Sequence, residues 1–585
     1  MKNKFNKGFR ENKTSGCLLP IGYDMKKFTY SDGEKNEKNI LHAIKSSIDI
    51  SYNSEELANK ATNWAETYHL GMGRANGLNS LNIGKNSSIL EMGSGCGAIT
   101  RYLGENFFEV DAIEGSYNRA KITRERCRDL RNVKVYCLNI SHFKKSKKYD
   151  VILLNGVLEY APLYMGHNNN PREAVLNLLK HAKKFVKKNG IILIGIENRL
   201  GLKYFSGCPE DHTGNLYEGI YEYPNKYTPI TFSKNEIIDV LNDAGYSHHH
   251  FLYCFPDYKI PSTIINEIGD KKKFLLYNWI EVPFYDHNRE GYNLHEGMML
   301  KNLSESGLLR DFANSFLIAA SPSAELNKYY NSDWIIKKYS IKRKRKFQCI
   351  TSLKIKPAKI VTKERFDGSK GEIFSKTKNF TIGHRIYQMR WLPGDSLDFQ
   401  LNKILLKKEP IKEIAEVLRG YYAELLKQFY TYKKDADGYP LLKGGSIDFI
   451  LSNLIRTKGR LKCIDNEFFV KENLPADYIL YRSILRDIKN NPYYSKAGWN
   501  KSSIEIDLIR GIFPKYNSAR NNLNKELELE FRKAISMGDY NIKSNNLSLI
   551  IQTASRLLPL KIRNFLVGAL SSINKPTLER IKNDR

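Results

Sequence analysis

Short apolar runs alternate with amphipathic stretches between Ser88 and Asn198, and this rhythm limits the fold more than any other feature of the chain. "SILE" from Ser88, "FEVDAIEGS" from Phe108, "NVKVYCLNI" from Asn132, "YDVILLNGVLEY" from Tyr149 and "IILIGIEN" from Ile191 read as strands. "GAITRYLGENF", "YNRAKITRERCRDL" and "PREAVLNLLKHAKKFVKKNG" read as the helices between them, the last opened by Pro171 and stopped by Gly190. Strands joined by helical crossovers pair in parallel and carry helices on both faces. The predicted class is therefore α/β, with a doubly wound sheet.

The first strand runs straight into E-x-G-x-G-x-G, made by Glu91, Gly93, Gly95 and Gly97. Glycines this dense let the backbone turn tightly and approach a ligand. In doubly wound sheets ligands lie beyond the C-terminal ends of the strands. Glu91, Gly93, Gly95, Gly97, Glu114, Asn139 and Asn155 all fall at such ends. Glu114 follows Gly97 by 17 residues, where a carboxylate can accept both hydroxyls of a ribose. That spacing serves a dinucleotide or S-adenosylmethionine. Two details favour the methyl donor. The pattern is not G-x-G-x-x-G, and Glu91 precedes the turn, where it can orient the loop or the donor's amino group. The bland alternative is a structural glycine turn in an unrelated α/β protein.

"SILEMGSGCGAITRYLGE", "VDAIEGS", "LLNGVLEY" and "GIENRLGLKYFSG" resemble the successive motifs of class I S-adenosylmethionine-dependent methyltransferases. "WAETYHLGMGRANGL" (Trp64 to Leu78), "CPEDHTG" (Cys208 to Gly214) and "FPDYKIP" (Phe255 to Pro261) narrow the resemblance to methyltransferases of bacterial surface-polysaccharide synthesis. Within that group the chain is similar to bifunctional kinase–methyltransferases that cap an O-polysaccharide. The resemblance covers roughly residues 50 to 265. It implies that Glu91, Gly93, Gly95 and Gly97 surround the methionine part of the donor and that Glu114 holds the ribose. It places Asn139 near the adenine, at a position where many class I enzymes carry Asp. Tyr68, His69 and Arg74 are expected to close over the donor. His69, Glu159 and His212 are candidate bases or acceptor contacts, and each can equally be structural.

From about Asp311 the pattern changes. "WIIKKYSI", "FQCITSLKI" and "AKIVTKERF" read as three antiparallel strands. "IYQMRWLPGDSLDFQLNKIL" reads as a strand, a Pro-Gly break and a helix, and "IKEIAEVLRGYYAELLKQFYTY" as a long amphipathic helix. Asp448 and Asn453 then stand five apart, with Asp465 twelve further on. This resembles the catalytic loop and metal-binding Asp of the protein-kinase-like fold. The resemblance implies Mg²⁺ and ATP held by Asn453 and Asp465, with Asp448 as the base. Lys363 is the chosen phosphate-binding lysine, with Lys337 and Lys354 as competitors. The sequence departs from the kinase pattern: no His-Arg precedes Asp448, Asn466 and Glu467 follow Asp465, and the turn between the first two strands carries "KRKRK" (Lys342 to Lys346) in place of a glycine loop. That run suits phosphate contact or a solvated hairpin tip.

The expected organisation is an N-terminal extension (1–50), a methyltransferase domain (51–265), a connector (266–310), a kinase-like α+β domain (311–500) and a helical C-terminal region (501–585). In the last, "NLSLIIQTASRLLPLKIRNFLVGALSSINK" (Asn546 to Lys575) suits helix packing or a membrane face. The formal charge of +30 predicts anionic partners: nucleic acid, an acidic membrane surface or phosphorylated glycan. No RNA-binding module is recognisable, so a glycan or lipid-linked polysaccharide acceptor is expected and specific nucleic acid is not. An RNA methyltransferase, and a methyltransferase fused to an inactive glycan-binding module, are the rival readings. The 8 cysteines form no C-x-x-C pair, which speaks against zinc and for reduced cytosolic thiols. His248, His249 and His250 read as a solvated turn. The basic N-terminus is followed by no apolar core of signal-peptide length, and no apolar run reaches transmembrane length. Cytoplasmic residence is expected, with peripheral contact at the inner membrane face.

Overall fold

The computed structural model describes residues 8–491, apart from 23–30, 32, 167–169, 225–228, 268–275, 285, 287, 290, 331–332, 357, 408–409 and 458, together with residues 503–537. Residues 1–535 form one compact unit. Its first strands are β1 (Phe9–Glu11), β2 (Leu18–Pro20), β3 (Ser88–Met92), β4 (Glu109–Glu114), β5 (Val133–Cys137), β6 (Tyr149–Asn155), β7 (Val186–Glu197), β8 (His248–Phe255), β9 (Thr263–Asn266) and β10 (Ser315–Ser321). Strands β2, β5, β4, β3, β6 and β7 pair in parallel in that order. The central strands are apolar on both faces. Leu90, Ile113 and Ile152 join one core, while Ile89, Val110 and Val151 join the other. Helix Pro171–Lys183 covers the first face, and helices Ala98–Asn106 and Tyr117–Arg126 cover the second. This is the burial pattern that parallel sheets require.

Two features differ from the sequence reading. Helix Pro171–Lys183 ends before Gly190, and β7 already begins at Val186. The histidine triplet opens β8 and forms no turn: His250 is buried, stacks on Tyr330 with ring centroids 3.6 Å apart, and hydrogen-bonds Asn266 at 2.7 Å.

The boundary expected near residue 311 has no counterpart in the sheet. Strand β10 lies antiparallel between β7 and β8, with Ile318 opposite Ile194 on one side and Phe251 on the other. The second half adds β11 (Trp334–Tyr339), β12 (Cys349–Lys354), β13 (Ile360–Arg365), β14 (Ile373–Lys376), β15 (Thr381–His384) and β16 (Gln388–Arg390). Strand β11 pairs with β9, placing Ile336 opposite Ile265, and β12, β13 and β16 follow antiparallel. One sheet of 14 strands thus runs through both halves. Helices Leu397–Leu405 and Pro410–Phe429 follow the strands as expected. Ile414, Leu418, Tyr421 and Leu425, at helical spacing, bury one face against Ile447, Phe449 and Ile479. Helix Ser518–Ile535 docks through a buried ion pair between Glu528 and Arg482 at 2.7 Å. The apolar stretch Asn546 to Lys575 lies outside the described residues. Among the described residues no helix is long and apolar enough to cross a membrane.

Candidate active site

A cavity of about 270 Å³ opens where β3, β4, β5, β6 and β7 end. This is the topological switch point: β3 is followed by β4 on one side and paired with β6 on the other. The cavity brings together Tyr68, His69, Arg74, Glu91, Gly93, Gly95, Glu114, Asn139 and Asn155, residues that the sequence placed at a donor site.

The glycine loop is shaped by the sheet beneath it. The N–H groups of Gly93 and Ser94 both donate to the Ile113 carbonyl, at 2.8 and 2.9 Å. Gly93 has φ 88°, and a Cβ there would stand 2.5 Å from Val157 Cγ2. Gly97 serves a different purpose from the one expected. It does not line the cavity; at φ 82° it begins helix Ala98–Asn106, and a Cβ would meet the Thr123 backbone at 2.9 Å. The missing side chain at Gly97 lets the two helices pack closely.

Glu114 accepts from the Gly95 N–H at 2.8 Å through one oxygen and from the Ser116 N–H at 2.9 Å through the other. Glu91 is buried and accepts from the Thr100 hydroxyl at 2.6 Å. Burial pushes its carboxyl up to about 8, the Thr100 hydrogen bond opposes this, and the nearby Glu114 charge reinforces it. Asn139 uses its Oδ1 locally, accepting from Ser141 N at 2.9 Å. Asn155 carries a buried Nδ2 with no hydrogen-bond partner, beside Gly195, whose missing side chain makes room for it. Helix Trp64–Leu70, capped by Asn63, supplies Tyr68 and His69 to the rim. Arg74 stacks 3.8 Å from the Tyr68 ring centroid and donates to the Lys259 carbonyl at 2.6 Å.

The opposite wall is built from "GIENRLGLKYFSG", "CPEDHTG" and "FPDYKIP", and most of its charged residues escaped sequence reasoning. Asp211 accepts from Lys203 at 2.5 Å, Lys259 at 2.8 Å and Tyr204 at 2.6 Å. Burial disfavours its charge, but Lys203 and Lys259 outweigh burial and hold the carboxyl well below the ordinary range. Lys259 also pairs with Glu197. His212 sits among Glu159, Glu197 and Glu210, with Nδ1 bonded to Glu210 at 3.0 Å. Burial works against an imidazolium there, yet Glu197, Glu159 and Glu210 outweigh it and hold the ring well above the usual histidine range. These carboxylates stabilise a proton on His212, which the ring must give up before it can act as a base or as a ligand. The only signal for this wall in the sequence was charge set inside otherwise apolar motifs.

Residues 90–192 match a family model described as a methyltransferase domain. That match is confined to the segment containing β3 to β6 and the start of β7. A search of curated proteins finds no match. Solved structures with a similar portion include a DhpI complex with S-adenosylhomocysteine, at 16% identity over 22% of this chain and 55% of that one, TM-score 0.18. Phosphoethanolamine N-methyltransferase 1 of Haemonchus contortus matches at 17% identity over 30% of this chain and 34% of that one, TM-score 0.20. N-methyltransferase NodS of Bradyrhizobium japonicum WM9 matches at 16% identity over 28% of this chain and 75% of that one, TM-score 0.20. The chain thus spans about half of the first relative's length and a third of the second's, and at these scores the likeness bears no functional weight.

Away from this cavity, the structure gathers Lys363, Asp448, Asn453 and Asp465. Of the three competing lysines, Lys363 is the one on Asp465, at 2.8 Å, and it also pairs with Glu467 at 2.7 Å. Lys337 lies over the Trp334 ring and Lys354 pairs with Glu364. Asn453 bridges the carbonyls of Asp448 and Asp465, at 2.9 and 3.1 Å. Asp448 also has a structural role. Its carboxylate is buried and accepts from the backbone N–H groups of Glu467 at 3.0 Å and Phe468 at 2.6 Å. Burial, then the Asp465 charge, push it up to about 6. The basic hairpin is not simply solvated either, since Arg343 pairs with the buried Glu467.

Proposed function

We propose that the chain is an S-adenosylmethionine-dependent O-methyltransferase whose acceptor is a polyhydroxylated glycan of the kind built into bacterial surface polysaccharide. The observation that carries this reading is the composition of the acceptor wall. Its lysines, Lys203 and Lys259, are already engaged by Asp211 and Glu197. A phosphate acceptor would need cations to spare, whereas hydroxyls need acceptors, and Glu159 keeps a buried carboxylate oxygen without a hydrogen-bond partner. Tyr160, Tyr164 and Tyr258 line the same space, and aromatic side chains suit packing against a sugar ring.

The donor half fits S-adenosylmethionine on this structure's own features: a carboxylate at Glu114 lining the cavity beside the glycine loop, an acid at Glu91 suited to an ammonium, and Gly93 at the cavity wall. The donor supplies an electrophilic methyl group. The chain's work is to hold an acceptor oxygen in line with that methyl and to keep water out. Calorimetric titration with S-adenosylhomocysteine, followed by methyl transfer from labelled donor to a panel of lipid-linked glycans and to RNA, tests the reading. A base-stable methyl ether on glycan is expected. Absence of donor binding, or selective transfer to RNA, would sink it.

A second reading concerns the other half. Lys363 on Asp465 and the Asn453 bridge support binding of ATP phosphates through Mg²⁺, with Asp465 and the remaining Asn453 oxygen as its donors. Asp448 spends its Oδ2 on two backbone N–H groups, so the support is stronger for nucleotide binding than for phosphate transfer. Titration with Mg-ATP, repeated on Asp465→Asn, tests it; equal affinity in both proteins would remove the nucleotide site. Peripheral contact with an anionic membrane remains a separate proposal, checked by sedimentation with acidic vesicles.

A further inference from the structure

His212 lies between carboxylates at separations that suit an ion better than a hydrogen bond. With Nδ1 committed to Glu210, its Nε2 faces Glu159 Oε1 at 3.6 Å and Glu197 Oε2 at 3.9 Å. Both exceed normal hydrogen-bond reach. The ligand atoms of Glu159, Glu197 and His212 all fall within 4.8 Å of one another. Around a cation with bonds of ~2.1 Å, adjacent ligand atoms stand ~3 Å apart and opposite ones ~4.2 Å apart. The observed gaps lie near that range. The second Glu159 oxygen is fully buried and has no hydrogen-bond partner.

Each of the three side chains also has a neighbouring polar partner. Glu210 fixes the His212 tautomer, Lys259 occupies the other oxygen of Glu197, and the Tyr258 hydroxyl donates to Glu159 at 3.4 Å. Metal ligands are typically held by such an outer layer. Charge points the same way. The carboxylates Glu159, Glu197, Glu210, Asp211 and Asp257 are gathered around only two lysines, Lys203 and Lys259. The other cluster with ligand character, Cys349, His384 and Glu467, lacks this surplus because Arg343, Lys363 and Arg365 already pack against it.

We propose that Glu159, Glu197 and His212 form a divalent-cation site in the acceptor wall, with open positions for acceptor hydroxyl oxygens. One imidazole and two carboxylates suit a cation of the Mn²⁺ or Mg²⁺ type. The cation site stands on its own geometry; its use by a glycan acceptor rests on the methyl-transfer reading above. The full chain, stripped by a chelator, is titrated with Mn²⁺ and followed by the electron paramagnetic resonance of the free ion. One site is expected. Its affinity should fall at least tenfold in Glu197→Gln and in His212→Asn, and should persist in Asp465→Asn. If either of the first two variants fails to fold by circular dichroism, Glu159→Gln carries the same expectation. Absence of Mn²⁺ binding by the wild type, binding that survives these variants, or loss confined to Asp465→Asn would overturn the proposal. S-adenosylhomocysteine is titrated into the same wild-type sample. Donor binding without Mn²⁺ binding defeats the cation site alone, and the reverse defeats the donor reading alone.

Discussion

Glu91 makes the donor site sensitive to pH in a direction that the structure fixes. Burial holds its carboxyl at about 8, against an ordinary 4.5. A donor ammonium or sulfonium is attracted by the ionised form only, so binding below pH 8 must first remove a proton. The apparent dissociation constant scales inversely with the competent fraction, which gives about a tenfold weakening at pH 7 and about a hundredfold at pH 6. Each tenfold step corresponds to ~1.4 kcal/mol. The stability of the unliganded protein carries the complementary sign. Because the folded value is raised, the Glu91 contribution is fully present below pH 4.5 and is lost as pH rises through about 8. Donor should therefore protect against thermal unfolding more strongly at pH 8 than at pH 6.

The assay is calorimetric titration of S-adenosylhomocysteine from pH 6 to 8.5, with wild type and Glu91→Gln in parallel. The ligand's own α-amino group titrates in this range, but it does so equally for both proteins and cancels in the ratio of their constants. That ratio should change by about two orders of magnitude between pH 6 and 8. Repeating the titration at pH 7 in buffers of different ionisation enthalpy should show close to one proton released by wild type and a smaller number by the variant. A flat ratio across the range would refute the assignment of Glu91 to the donor's cationic part, even if the donor binds tightly.

Glu114→Gln should weaken donor binding by about 1.5–3 kcal/mol, since it weakens charge-assisted hydrogen bonds to Gly95 and to a ribose; calorimetry at pH 8 reads it. Gly93→Ala should abolish measurable donor binding because its Cβ would meet Val157 at 2.5 Å inside the cavity wall. Gly97→Ala, meeting the Thr123 backbone at 2.9 Å, should instead lower the unfolding temperature through strained helix packing. Arg482→Met leaves Glu528 buried with Arg532 as its remaining ion-pair partner beside the Tyr478 hydroxyl, and should destabilise the docking of helix Ser518–Ile535 by ~3–5 kcal/mol. Cleavage by a protease at that helix, compared with wild type, measures it.

The parallel half of the sheet was legible because its signals are local. Each strand of β3 to β7 is an apolar run bounded by turn residues, and each crossover helix shows its own period. What was not legible is long-range pairing. "SFLIAAS" is as apolar as any run in the first half, but nothing local says that Ser315–Ser321 will insert between β7 and β8. The same holds for β9 and β11, whose contact joins the two halves into one sheet. Antiparallel neighbours so far apart in sequence are chosen by which edges remain open, and that is a property of the assembled fold.

The site divides along a similar line. Donor residues were readable because a strand-end position fixes where a side chain points. Asn139 and Gly97 show the limit: a strand-end position does not reveal that one spends its acceptor on Ser141 and that the other packs a helix. The acceptor wall depends on three loops meeting, so Lys203, Asp211 and Lys259 carried no recognisable spacing. Asp448 makes the argument sharpest. Its distance in sequence from Asn453 and Asp465 suits a catalytic loop, and all three do assemble beside Lys363. But spacing constrains Cα positions and leaves χ angles open. Two backbone N–H groups, of Glu467 and Phe468, lie within reach of the Asp448 carboxylate, and in a buried turn an unpaired N–H costs about 1–3 kcal/mol. The carboxylate therefore turns inward, toward the groups that most need it. An outward rotamer would leave both donors unsatisfied. For Asp448 to act as a base, a bound ligand must supply that energy or the Glu467–Phe468 segment must find other acceptors.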